Sequence, residues 1–244
     1  MRAQPAFCLA VAAGVSMVLA GPASASFYLM QIEQAIGGVD GDTSAQAIQL
    51  RMRFPGDSTL EFARIRAWDA AGDNPITLID FDAGVPNNNL GDRILAASPG
   101  FADYTETALP SDFTLTNLIP ESYLAAGRIT YEGDDGIIYW LLSFGGAGYT
   151  GPTTGSNAND ADGDFGPPLI GPLPSSDLQS LLFQGTAMDP STTNLADYAL
   201  SAGPAVFTNN AGLNAAVVPE PGTLSLFAFS LWTLARRRTR QSRA

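Results

Sequence analysis

Asp160, Asp162 and Asp164 stand at alternate positions in the stretch that runs from Asn157 to Gly166. Carboxylates spaced two apart in a tight turn can converge on one cation, and calcium takes roughly six to eight oxygen ligands. Gly163 permits a sharp bend and Asn157 and Asn159 add side-chain oxygens, so the three aspartates are candidate calcium ligands. The match to the EF-hand loop is incomplete: with Gly163 on the invariant glycine, Ala158 falls where the first acid belongs, and no glutamate closes the loop. The plainer reading of the same residues is a solvated acidic loop.

Arg51, Arg53, Arg64 and Arg66 form a second group, on two consecutive strand-like stretches. If these pair as a hairpin, all four share a face. Guanidinium forks hold carboxylates and sulfates in two-point contacts, which would suit an acidic polysaccharide. Internal pairing with acids such as Glu61 is the alternative use. Trp68, Tyr123, Tyr131, Tyr139 and Trp140 are able to stack on sugar rings or to fill a core.

What the chain lacks narrows its chemistry further. Its 244 residues include no histidine and no lysine, and the only cysteine is Cys8. Histidine-dependent triads and zinc hydrolase sites are excluded, because imidazole is the usual base near neutral pH and the commonest metal ligand. No disulfide or thiolate site is available beyond the first residues. A glycosidase needs only two carboxyl groups, but no pair stands out among so many, and no GxSxG elbow occurs. Between Ser26 and Val218 six arginines face 23 acids, a net charge of −17. Such a surface repels nucleic acid and anionic lipid and attracts cations.

The elements that must position these groups read as strands. Ile48, Leu50, Met52 and Phe54 alternate with Gln49, Arg51 and Arg53, the period of a strand with one buried face. In the next stretch Leu60 and Phe62 set one phase and Ala63, Ile65 and Ala67 the other, which predicts a bulge near Phe62. Further short strands are expected around residues 75–81, 92–98, 112–118, 127–133 and 136–144, separated by Pro, Gly, Asn and Asp clusters. From Tyr149 to Ser176 the chain is dense in Gly, Pro, Asn and Asp and predicts a long irregular loop. The residues around Leu181 form a short helix or strand, those around Phe207 a last strand, and Ala211 to Val218 a linker. The expected fold is all-β: an antiparallel β-sandwich, jelly-roll or Ig-like, spanning residues 26–216.

Both ends read as addresses. Residues 1–25 carry a charge at Arg2, an apolar run from Phe7 to Leu19, and Ala23-Ser24-Ala25, the pattern of a cleaved signal peptide with a helical core. Thr223 to Ala235 holds no charge; at ~1.5 Å per residue it covers about two thirds of a ~30 Å hydrocarbon core. Arg236, Arg237 and Arg238 follow, and arginines beside a span favour the cytoplasmic side. A C-terminal transmembrane helix within residues 217–240 is therefore expected, with Pro219, Glu220 and Pro221 on the outer side.

The order Pro219-Glu220-Pro221, apolar stretch, Arg236-Arg237-Arg238 closely resembles the PEP-CTERM sorting signal of Gram-negative bacteria. The resemblance covers about 25 residues at one end. It implies recognition by exosortase, a membrane protease, and passage from an inner-membrane precursor to the cell surface or extracellular matrix. It implies nothing about the central domain. The function expected from all these features is a non-enzymatic surface or exopolysaccharide-matrix protein, with exosortase and exopolysaccharide as partners. The alternatives are a calcium- or carbohydrate-binding module and a glycan-cleaving enzyme using two acids. Replacing Glu220 and Pro221 together with alanine is expected to leave uncut precursor in the inner membrane when cell fractions are immunoblotted; unchanged surface delivery would remove the sorting assignment.

Overall fold

The computed structural model describes residues 29–220. The period-two stretch is strand β2 (Ala47–Met52), in which Ile48, Leu50 and Met52 are all buried in one core. Phe54 lies beyond its end and is exposed. β2 pairs antiparallel with β1 (Met30–Ile36) on one side and β5 (Arg93–Ala97) on the other. β9 (Leu181–Phe183) and β10 (Tyr198–Leu200) extend the sheet past β1, and β6 (Phe113–Thr114) joins beyond β5, in parallel. The result is a six-stranded sheet in the order β10-β9-β1-β2-β5-β6.

A four-stranded antiparallel sheet faces it, ordered β4-β3-β7-β8, from β3 (Ala63–Trp68), β4 (Ile76–Asp80), β7 (Gly127–Gly133) and β8 (Ile138–Phe144). The two sheets share one apolar core. Ile32, Leu50 and Ile94 from the larger sheet meet Ile65, Tyr131 and Trp140 from the smaller. Trp140 anchors it, packing edge-on against Phe183 with ring centroids 5.3 Å apart. Its Nε1 donates to the Tyr198 hydroxyl at 2.7 Å, which in turn donates to the Ile32 carbonyl, so the buried polar atoms are satisfied.

A third, two-stranded sheet, β11 (Val206–Thr208) with β12 (Asn214–Ala216), lies against the opposite face of the larger sheet. Phe207, Ala215 and Val217 close a second core there with Ile36, Ala47, Leu95 and Phe101, and the Phe101 and Phe207 rings meet at 5.1 Å in a T-shape. The only helices among the described residues are single turns, including α1 (Glu121–Leu124) and α2 (Asn194–Asp197). The all-β expectation is met, with three largely antiparallel sheets.

Three local expectations change. The phase switch after Leu60 is a turn rather than a bulge: the Ala63 amide donates to the Leu60 carbonyl at 2.8 Å, and β3 begins only at Ala63, leaving Phe62 exposed. β2 and β3 do not pair, because β1 and β5 occupy both edges of β2 and residues 53–62 carry the chain across to the other sheet. Residues 211–218 are not a linker. β12 pairs with β11, and Val217 and Val218 donate to the carbonyls of Ala205 and Tyr104, each at 2.8 Å. The long loop after Tyr149 is present as expected, with no strand before β9. No helix of the described residues is long and apolar enough to cross a membrane. The predicted signal peptide (1–25), the apolar span, Pro221, Arg236, Arg237 and Arg238 lie outside the described residues.

If the C-terminal hairpin is part of the body, Phe207→Ala should cost about 3–5 kcal/mol in urea unfolding, as for a buried aromatic. The exposed neighbour substitution Val206→Ala should stay within about 0.5 kcal/mol. Equal, small losses for both would restore the linker.

Candidate functional site

The outer face of the larger sheet is covered by the hairpin over only part of its area, and the remainder is polar and recessed. Its geometry starts with a bulge in β1. Ile32 pairs with Leu50 and Gln34 with Gln49, leaving Glu33 as the extra residue. Ile32 and Ala35 both reach the sandwich core, so the bulge places two consecutive side chains, Glu33 and Gln34, away from it. Arg51 and Arg93 are register partners on β2 and β5 and reach the same place.

Both Glu33 oxygens are fully engaged. Oε1 accepts from Arg51 Nη1 at 2.7 Å and Arg93 Nη2 at 2.9 Å; Oε2 accepts from Arg93 Nε at 2.7 Å and Gln49 Nε2 at 2.8 Å. Arg51 also donates through Nε to Gln31 at 2.6 Å and through Nη2 to the Gly185 carbonyl at 2.8 Å. Gln49 Oε1 accepts from the Thr208 amide, which ties β11 to this floor. Glu33 and Arg51 are buried, whereas the Arg93 side chain is 37% exposed. Burial pulls the Arg51 guanidinium below its usual range, and the hydrogen bond to Glu33 pushes Arg93 up. Both remain cations.

This cluster floors an open groove of about 620 Å³. Ser201 to Pro204, Val206, Thr208 and Asn214 line its sides, together with Leu182 and Phe183. The volume is in the range of small-molecule sites. Glu33 is the only carboxylate among the lining residues.

The residues singled out by spacing lie elsewhere. Asp160 Oδ1 accepts from the amides of Asp162 and Gly163, Asp162 Oδ1 from Asp164, and Asp164 Oδ1 from Gly166 and the Thr153 hydroxyl. Each carboxylate folds back on its own backbone, a succession of Asx turns with Gly163 at φ +79°. Asp160 is buried and its Oδ2 has no hydrogen-bond partner among the described residues, whereas Asp162 and Asp164 are exposed. No group of three or more acidic, histidine or cysteine side chains among the described residues is placed to hold a metal ion.

The four arginines do not share a face. Arg51 belongs to the groove, and Arg53 donates to Asn159 Oδ1 at 2.6 Å. Arg64 and Arg66 lie on the smaller sheet and both approach Glu132, at 3.4 and 3.5 Å, rather than Glu61. Beside them Arg128 stacks over Trp68 at 4.4 Å, and Trp68 Nε1 donates to Thr130. Tyr131 and Trp140 are core, and Tyr123 and Tyr139 pack against it. Pro219 is half-buried directly after the last paired residue, and Glu220 is exposed.

The sequence reading missed Glu33, Gln34, Gln49 and Arg93 as a group. Their signal was present as polar residues inside strands free of turn residues, but their convergence depends on sheet order, which spacing does not reveal. No protein-family model matches the chain and no curated protein matches it.

The Asp160 carboxyl is raised above the ordinary range, chiefly by burial. A raised folded value favours the fold below the ordinary carboxyl range, and that contribution disappears as pH rises through the folded value, so at pH 7 the buried charge is a cost. Asp160→Asn keeps an oxygen for the two amides and removes the charge. It should raise the urea midpoint at pH 7, with the gain shrinking toward pH 3. A calcium-dependent rise in wild-type stability that the variant loses would instead establish an ion site at this loop.

Proposed function

We propose that this chain is a non-enzymatic exported protein of the cell surface or exopolysaccharide matrix of a Gram-negative bacterium. In this reading exosortase takes it from the inner membrane through the PEP-CTERM tail, and its body is a carbohydrate-binding module. Of the two topologies expected, the strand order supports the Ig-like one. β1-β2-β5 follow the A-B-E order and β3-β7-β8 the C-F-G order, with β4 added at the outer edge of β3.

One observation carries the binding reading: the groove combines a rigid, hydrogen-bonded floor with small polar and apolar walls, while its single carboxylate is fully occupied. Glycoside hydrolysis uses two carboxyl groups flanking the bond, one to donate a proton and one to attack or activate water. Glu33 with four donors has neither a free oxygen nor a carboxyl partner across the groove. The same arrangement suits reversible recognition of a hydroxyl-rich ligand by preorganised groups. Sorting is supported by the position of the triplet, since the last backbone hydrogen bond given by the described residues is at Val218 and Pro219 follows at once.

A glycan array run with calcium and with chelator tests the reading. Retention of glycans under both conditions, lost in Val206→Trp, is expected. Val206 is half-exposed on the groove wall, so the larger ring fills the groove without entering the core. Retention of no glycan would end the carbohydrate reading, and release of reducing ends would end the non-enzymatic one.

A further inference from the structure

We infer that the groove selects a carboxylate, so that its ligand is an acidic sugar, a uronate bearing hydroxyls, with Arg93 taking the acid group. This rests on the groove being the binding site. Among the residues that line the groove, two guanidinium groups stand against one carboxylate, a local surplus of one positive charge, with Asp92 acting on Arg93 and Asp189 on Arg51 from outside the lining, in a body whose described residues carry six arginines and all 24 acids of the chain. The surplus sits on the side open to solvent. Arg51 spends all three nitrogens inside, on Gln31, Glu33 and Gly185. Arg93 spends only Nε and Nη2, both on Glu33, and its Nη1 has no partner among the described residues.

Locking two of the three nitrogens fixes the plane of the fork and leaves one edge for a ligand. A second donor lies nearby. Gln34, also a lining residue, is buried with its Nε2 unpartnered among the described residues, an arrangement that costs free energy unless something accepts from it.

The acceptors of the ion cluster itself are spent by contrast. Each Glu33 oxygen already holds two donors, and Gln49 Oε1 holds the Thr208 amide. A ligand that fits this floor must bring oxygen acceptors and one negative charge. A monovalent carboxylate meets the single surplus charge, whereas a phosphate dianion would exceed it. The walls fit the rest of such a ligand: Ser201, Thr208 and Asn214 offer small polar groups, and Pro204 and Leu182 apolar surface for ring faces.

Isothermal titration of the purified full-length chain in chelator tests the inference, with galacturonate, its trimer, the neutral galactose trimer and inorganic sulfate as probes. The acidic trimer should bind about tenfold or more tighter than the neutral one, since a hydrogen bond to a charged group is worth at least that ratio. Arg93→Lys, which keeps the charge beside Glu33 but loses the fork, should erase most of the difference. Val206→Trp, altered only at the exposed wall, should abolish binding of both and covers the case in which the Arg93 variant does not fold. Tighter binding of the trimer than of the monomer identifies a polymer as the source, and equal binding a free sugar acid. Equal affinity for acidic and neutral trimers overturns the carboxylate while leaving the groove as a sugar site. Binding of neither overturns both, and sulfate competing as well as the acidic sugar reduces the site to a general anion contact.

Discussion

The buried carboxylate of Glu33, held by Arg51, Arg93 and Gln49, is the interaction on which the outer half of this molecule depends. A charge taken out of water costs several kcal/mol unless paired and hydrogen-bonded, and removing one partner of such a pair typically costs about 3–5 kcal/mol. Here four donors from two neighbouring strands converge on a single bulged residue, so the cluster fixes the register of β1, β2 and β5 together. Its reach goes further. Arg51 Nη2 holds the Gly185 carbonyl just past β9, and Gln49 holds the Thr208 amide of β11. A well-packed apolar floor would hold a sheet equally well. What an apolar floor lacks is oriented donors, and these are what the groove presents.

The two outer faces of the sandwich differ in what makes one of them a candidate site. On the smaller sheet Arg64 and Arg66 bracket Glu132, Thr130 bridges Glu132 and Trp68, and Arg128 stacks on the indole while donating to the Pro152 carbonyl. That face also carries an ion cluster, and its members pack on one another. The face of the Trp68 indole is taken by Arg128. On the larger sheet the hairpin rises over the second core and turns an equivalent cluster into the floor of a groove. Residues 201–214 supply much of its lining.

Much of the sandwich was legible because its signal is local. Ile48, Leu50 and Met52 declare a buried face by period alone, and the stretches that became β5, β7 and β8 are apolar runs between turn residues. β1 was harder, since Gln31, Glu33 and Gln34 make it look solvated when every residue of it is buried. Only a partner on the outer face explains that burial, and sequence does not name partners. The hairpin was hidden for the opposite reason: Asn214, Ala215 and Ala216 are too small and plain to declare a strand. The aspartates show a limit of spacing, because alternate positions that can converge on an ion also suit consecutive Asx turns. The arginines misled through adjacency in the chain, since consecutive strands in a sandwich often belong to opposite sheets.

The charge distribution sets how such a groove must work. Six arginines against 24 acids give the body a field that repels any acidic polymer at a distance, whereas the groove offers a surplus of a single positive charge. Fields between exposed charges fade over about 10 Å at 0.1 M salt, so the repulsion governs approach and the floor governs residence. Two unit charges about 4 Å apart attract by ~4 kcal/mol at an intermediate effective dielectric constant of ~20, but only after contact is made. Recognition of an acidic ligand by this groove would therefore be a matter of contact rather than steering. In the proposed matrix role that arrangement would be an advantage, because acidic surfaces would keep neighbouring copies apart while each groove held one point on a shared polymer. In that role the acids that keep copies separate would favour weak, multiple attachment over a single tight contact with an anionic matrix.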